Sequence, residues 1–280
     1  MHIKSQDLVN SHKSVDQLNL IQHQSSHPVG LCPMKGNAMS KDTQNTLNLK
    51  DARIAGALYL TIAICGGFSI GYVPSQIVMA GDAATTASNL MGQVGLFRMG
   101  VLADSAVILL EIAITVILYQ MFRTTSPRLS QIAMVSRFGM IVVMGINLLL
   151  WVMPYVLMSQ PTGLNPADTL AFAQIFFEAH ALGIYVWQLF FSAHLLALGW
   201  IILRSKLVPH LLGWGLFIGA FGYLIQGLVE LTFTDVAALD ITIIGLLTIV
   251  TLSELGFGLW LLIRGQRGNA AQSISTPQTV

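Results

Sequence analysis

Leu96–Phe122, LFRMGVLADSAVILLEIAITVILYQMF, decides the fold of this chain. The stretch is longer than the roughly 20 residues that carry a helix across a bilayer core, yet Arg98, Asp104 and Glu111 lie inside it. At about 100° per residue, the seven-residue step from Asp104 to Glu111 brings both carboxyls to nearly the same face, about 10 Å apart along the axis. A carboxylate at the centre of a lipid-facing span costs roughly 2.5–3.5 kcal/mol on insertion scales. That face is therefore expected to look into protein or water, which makes the stretch one member of a helix bundle.

Composition agrees. Of the 280 residues 54% are hydrophobic and only 10% charged, against about 25% charged in a soluble domain, so the chain reads as a polytopic membrane protein. No basic patch interleaved with aromatics occurs, so nucleic acid is not an expected partner. Membrane lipid is, together with a small-molecule solute. Cys32 sits in a polar segment and Cys65 in an apolar one, so no disulfide is expected. Residues 1–50 are rich in Ser, Gln, Asn, Lys and His and hold no apolar run of signal-peptide length; they are read as a disordered tail. His2, His12, His23 and His27 there lack the regular spacing of zinc ligands, and neither a metal nor a cofactor is expected. A start at Met34 or Met39 also fits, because MSKDTQNTLNLKDARIAG is a natural polar lead-in to a first span.

Six spans follow, placing the fold in the all-α class, with one or two short interfacial helices outside the cytoplasm. Span 1 covers about 53–73, with Gly67 and Gly71 as a small-residue contact face and Pro74 as its end. Asp82 is positioned to cap a short surface helix over 83–91. Span 2 is the opening stretch. Pro127 starts span 3, about 129–158, which holds Arg137 and Asn147 and is kinked or frayed by Pro154. Asn165 and Pro166 open a further helix. From Pro166 to Leu203 no strong breaker occurs. One helix of that length would extend about 57 Å, so an interfacial helix to His180 and a span 4 over 181–203 are expected, jointed at Gly183. Span 5, about 208–231, carries Gly215, Gly219, Gly222 and Gly227, which predict close helix approach. Span 6, about 238–263, contains Glu254, and 266–280 form a second disordered tail.

Charge sets the orientation. Lys4, Lys13, Lys35, Lys41, Lys50 and Arg53 precede span 1; Arg123 and Arg128 lie between spans 2 and 3; Arg204 and Lys206 between spans 4 and 5; Arg264 and Arg267 after span 6. These are 12 of the 14 basic residues. With six spans all fall on one side, which predicts two cytoplasmic termini. The turns at Arg123–Leu129 and Arg204–Leu211 echo one another, and independent use of basic, proline-started turns accounts for that.

Four segments carry a resemblance: ARIAGALYL, VPSQIVMAGDAATTASNLMGQVGLFRMG, FFSAHLLALGWIILRSKLVPHLLGWGLFIGAFGYLI and LSELGFGLWLLIRG. The chain from about Ala52 to Gly265 resembles a bacterial family of integral membrane proteins known as domain of unknown function 4386. The GDAATTASN…LFR and LRSKLVPHLLGW blocks are the more specific parts. The resemblance implies a bacterial plasma-membrane protein. It implies no activity and supplies no catalytic residues.

Counting 1.5 Å per residue from the basic ends puts Glu111, Arg137, His194 and Glu254 in one inner layer, with a Glu111–Arg137 ion pair between neighbouring spans. Asp104, Arg98, His180, Glu178, Glu230 and Asp240 form an outer layer. Arg98, Glu178, Glu230 and Asp240 lie near span ends, where snorkelling suffices. The candidate polar site is thus Asp104, Glu111, Arg137, His180, His194 and Glu254. Phe176, Phe177, Trp187, Phe190, Phe191 and Trp200 read as packing or interface aromatics. Three functions fit: transport of a small solute or proton along the polar interior, a non-catalytic structural or lipid-binding role, and a membrane-embedded enzyme. For the last, HExxH, CxxC and GxSxG are absent from the sequence. His180 and His194 are about 21 Å apart along a helix and cannot share a metal. Their spacing resembles the two-haem helix of the cytochrome b family, but the one other histidine within the spans, His210, stands at the basic end of span 5 and cannot supply partners for both.

Overall fold

The computed structural model describes residues 49–274 apart from 206 and 235–236; of 49, 237 and 265–274 it gives the helical backbone alone. In chain order the elements are α1 (Leu49–Gly66), a π-helical segment (Gly67–Tyr72), α2 (Val73–Ile77), α3 (Ala83–Gly92), α4 (Val94–Phe122), α5 (Pro127–Ser159), α6 (Pro166–Arg204), α7 (His210–Leu231) and α8 (Ala237–Ile274). Among the described residues six helical stretches are long and apolar enough to cross a membrane: Lys50–Ile77, which joins α1, the π segment and α2, then α4, α5, α6, α7 and Ala238–Arg264 within α8. The chain is a multi-pass, all-α membrane protein.

The spans pack in chain order: α1 on α4, α4 on α5, α5 on α6, α6 on α7 and α7 on α8, and α8 closes against α1. Short connections make sequential helices antiparallel neighbours, so the result is a closed ring of six. Ile114, Leu195, Leu216 and Phe257 are buried inside, while Ile64, Leu109, Leu149 and Leu252 are exposed outside. An apolar exterior is what a hydrocarbon solvent accepts.

Small residues set the closest approaches. A Cβ on Gly219 of α7 would stand 2.6 Å from the Val250 backbone nitrogen of α8, and one on Gly56 of α1 would stand 2.5 Å from Leu262 N. These contacts seat α8 between α7 and α1, as the glycine run of span 5 predicts for its own side.

Several boundaries differ from the sequence expectation. Pro74 does not end span 1. It lies inside the continuous helical span Lys50–Ile77, directly after the π-helical segment, whose widened turn accommodates a residue that donates no N–H. Gly67 and Gly71 make no close contact: a Cβ on either would meet nothing within 4 Å. The stretch beginning at Pro166 is one unbroken 39-residue helix. Gly183 is no joint; it makes room for Asn147, whose Oδ1 would collide with a Cβ there. Beyond the length a bilayer needs, α6 stays helical because α5 and α3 pack on it, through Trp151 against Phe177 and buried Ala173. α5 runs through Pro154 to Ser159.

The short helix expected after span 1 is α3, capped as expected by Asp82, whose side chain accepts from Thr85 N at 2.9 Å and from the Thr85 hydroxyl at 2.6 Å. Those bonds to the ionised form hold the Asp82 carboxyl below its ordinary range. Asn165 caps α6 in the same way, accepting from Asp168 N. The helical backbone of α8 continues to Ile274, into the stretch read as a tail. The polar segment 1–48, with Met34, Met39 and Cys32, lies outside the described residues.

Candidate functional site

Each of the six spans sends one polar side chain to the middle of the ring: Tyr59 from α1, Glu111 from α4, Arg137 from α5, His194 from α6, Tyr223 from α7 and Glu254 from α8. Arg137 is the hub. It is 1% exposed and Glu111 is 4% exposed, a depth at which an unpaired charge is not tolerated. Its Nε donates to Glu111 Oε2 at 2.6 Å, and its Nη1 donates to the Tyr59 hydroxyl at 3.1 Å. Nη1 also lies 2.8 Å from His194 Nε2. Arginine can only donate, so Nε2 accepts. The His194 proton then sits on Nδ1, which donates to the Ala133 carbonyl at 2.8 Å. The guanidinium carbon stands 5.2 Å from the Tyr59 ring centre and 5.5 Å from that of Phe191, within cation–π range.

Glu254 and Tyr223 are the two members of this group without a hydrogen bond into the Arg137 network. Glu254 Oε2 lies 3.4 Å from the Tyr223 hydroxyl, and the Glu111–Arg137 pair is the ion pair found among the described residues. Both carboxylates, Arg137, Tyr59 and Tyr223 line a cavity of about 230 Å³. Trp187 and Phe191 form its aromatic wall with Tyr223; the ring centres of Phe191 and Tyr223 are 5.5 Å apart and those of Trp187 and Tyr223 6.4 Å apart. Met140, Met144 and Ile70 supply much of the rest.

The cavity is open on one side. Ala63 and Gly67 of the first span, and Thr251 and Leu255 of α8, both line it and are exposed. These residues lie mid-span, so the mouth looks sideways between α1 and α8 at hydrocarbon depth. The π segment Gly67–Tyr72 begins at this mouth; single π turns recur at functional sites.

Two smaller polar spaces lie above and below. On the side away from the basic loops, Asp104, Asn147 and His180 line a void of about 10 Å³, divided from the main cavity by Ile70, Met144 and Trp187, which line both. Asp104 Oδ1 and Asn147 Oδ1 are buried there without a hydrogen bond, while His180 Nδ1 is 3.0 Å from the Asn147 carbonyl oxygen. The void is close to what one water molecule needs. Toward the basic loops, His194, Thr115 and Ser130 line a second void of about 10 Å³, and Ser130 Oγ is again unpartnered.

Of the six candidate residues, Glu111, Arg137, His194 and Glu254 converge on the centre, and Asp104 and His180 share the chamber above it. The Glu111–Arg137 pair forms as expected. Arg98, Glu178, Glu230 and Asp240 are exposed, with Arg98 donating to Tyr155 Oη at 3.1 Å and Glu178 accepting from Gln174. Nothing in the sequence singles out Tyr59 and Tyr223, although their distances from the basic ends of their spans place them in the same layer. Trp187 and Phe191 do more than pack; they wall the cavity. Among the described residues no group of three or more His, Cys, Asp or Glu side chains is placed to hold a metal ion.

Fold and site together define a six-span membrane protein with a polar, laterally open chamber at the centre of a helix ring. The chain belongs to the family described as Domain of unknown function (DUF4386), whose model matches residues 54–265. No curated protein and no solved structure is significantly similar to it.

Proposed function

We propose that this protein carries a small solute across a bacterial plasma membrane, through the polar interior of its helix ring, with both termini in the cytoplasm. The observation that supports this reading is the central cavity itself, to which five of the six spans contribute Tyr59, Glu111, Arg137, Tyr223 and Glu254, while α6 adds Trp187 and Phe191 to the wall and His194 behind Arg137. Intramembrane ionisable groups that face a bundle interior are costly to keep and mark solute or ion paths. The Asp104 chamber and the His194–Ser130 void lie beyond the cavity on either side, separated from it by Ile70, Met144 and Trp187 on one side and by the Arg137 network on the other. That is the arrangement of a central site between two barriers. The orientation rests on the 12 basic residues that six spans gather on one side.

The lipid-binding reading has one observation in its favour, the mouth between α1 and α8, through which a membrane-dissolved molecule reaches the cavity sideways. In that reading the site binds and does not deliver.

Accessibility separates the two. A single cysteine at Met144, in a chain carrying Cys32→Ser and Cys65→Ser, is treated with a membrane-impermeant methanethiosulfonate from either face of sealed vesicles. Transport requires modification from both faces. Modification from neither face removes the transport reading and leaves a lipid-facing binding site.

A further inference from the structure

The walls of the central cavity are unbalanced in charge. Arg137 is neutralised by Glu111 at 2.6 Å, and its guanidinium lies against the Tyr59 and Phe191 rings. Glu254 has only the Tyr223 hydroxyl, at 3.4 Å; among the described residues no Lys, Arg or His nitrogen lies within ion-pairing distance of it. The other titratable groups on the cavity, Tyr59 and Tyr223, are phenols. One arginine against two glutamates leaves Glu254 without an ion-pair partner, and a bound cation supplies the counter-charge that an ionised carboxyl group needs at this depth. Beside Glu254 stand two aromatic side chains, Trp187 and Tyr223, against which no cation among the described residues is placed. A carboxylate with aromatic rings is the chemistry that holds an ammonium group.

We infer that the cavity takes a monovalent organic cation with an apolar body, its charge set against Glu254 beside Trp187 and Tyr223 and its body along Ile70, Met140 and Met144. This rests on reading the cavity as the substrate site. The single excess carboxylate sets the charge of the ligand. The aliphatic and aromatic lining sets the apolar body, and a volume of about 230 Å³ sets a small one. A bare divalent metal ion is a poor match, because it takes six or more oxygen ligands and no suitable cluster exists among the described residues. An anion meets the unpaired carboxylate. The mouth between α1 and α8 opens at hydrocarbon depth, which gives an amphiphilic cation a route from the bilayer.

Three probes of one shape test this on the full-length protein in detergent, by titration calorimetry and by the fluorescence of Trp187: benzyltrimethylammonium, its neutral isostere neopentylbenzene, and the anion phenylmethanesulfonate. The expected result is binding of the cation at least tenfold tighter than of the other two. Glu254→Gln removes that preference, weakening the cation tenfold or more while leaving neopentylbenzene within about twofold; Glu254→Asp retains part of it. Equal or tighter binding of the neutral or anionic probe overturns the inference, as does binding of none. The comparison of probes on the unmodified protein stands even where a variant fails to fold. If neopentylbenzene binds best and the Met144→Cys variant is modified from both faces, the transport reading survives and only the ligand class is lost. If the Met144→Cys variant is modified from neither face while the cation still binds best, the ligand class survives without transport.

Discussion

The two sides of the ring are built differently. On one side α6 lies between α5 and α7, and 56% of its most apolar window is buried within the protein; on the other, the corresponding share of the first span is 22% and of α8 28%. The α5–α6–α7 wall holds the hub arginine, both site histidines and Tyr223. Facing it, the first span meets α8 closely toward the basic end, at Gly56 and Gly258, and farther along Ala63, Gly67, Thr251 and Leu255 frame the mouth. A well-packed wall sets the geometry of a site, and the gap where two helices part is where a ligand reaches it. The difference assigns positioning to one side and access to the other.

The largest effect is expected at the join. Arg137→Met leaves Glu111 buried without a counter-charge and removes the donor from Tyr59 and His194. Breaking a buried pair by one partner costs about 3–5 kcal/mol, read as lost stability in thermal or denaturant unfolding in detergent. Adding Glu111→Leu should restore most of that, because an apolar pair of similar volume is tolerated where a lone charge is not. Recovery stays incomplete, since Tyr59 and His194 remain without the arginine. A double variant as unstable as Arg137→Met alone would show that the pair is not the join between the two sides.

Glycine substitutions compare the sides directly. On Gly219 a methyl group would press on the Val250 backbone, and overpacking of this kind costs about 1–3 kcal/mol. On Gly67 it meets nothing, and alanine suits a helix better than glycine by about 0.5–1 kcal/mol. Gly219→Ala should therefore lower the unfolding temperature while Gly67→Ala leaves it unchanged or raises it. Equal losses would mean that the mouth is closed by contacts as tight as those of the wall.

The same contrast explains what could be read in the sequence. Apolar runs of bilayer length and one-sided basic turns give six spans directly. A count of residues from the basic ends places Glu111, Arg137, His194 and Glu254 at one depth, since the helical rise is fixed. Tyr59 and Tyr223 escape that count because tyrosine is ordinary in membrane proteins as an interface residue, and only contact with Arg137 or Glu254 singles them out. The mouth leaves no mark at all: Gly67 and Gly71 have the spacing of a contact face, and nothing local says that the partner helix has moved away. At Gly183 the reverse holds. A glycine in a long helix suggests a joint, whereas its reason is a side chain on another span, Asn147, which a single segment does not reveal.

The smallest effect tests whether the two sides are tied at the end away from the basic loops. α3 lies there, touching α2, α4, α5 and α6. It holds the end of α2 through Asn89 Nδ2 donating to the Ile77 carbonyl at 3.3 Å and through Thr86, whose hydroxyl accepts from Met79 N at 2.9 Å. Its own start depends on the Asp82 cap, whose bonds are made by the carboxylate. Because the Asp82 pKa is depressed in the folded protein, the cap contributes fully above the unfolded value, and its contribution is lost as pH falls through the lower, folded one. Asp82→Asn keeps an acceptor for Thr85 N without the titrating charge. Hydrogen exchange at the Thr85 and Thr86 amides should quicken below that pH in the native protein beyond the ordinary pH dependence of exchange, and Asp82→Asn should not show the added step. If the quickening spreads to α2 and the π segment but not to α6, the cap steadies the access side alone. If α6 loosens as well, α3 ties both sides, and the separation between wall and mouth is less complete than their packing suggests.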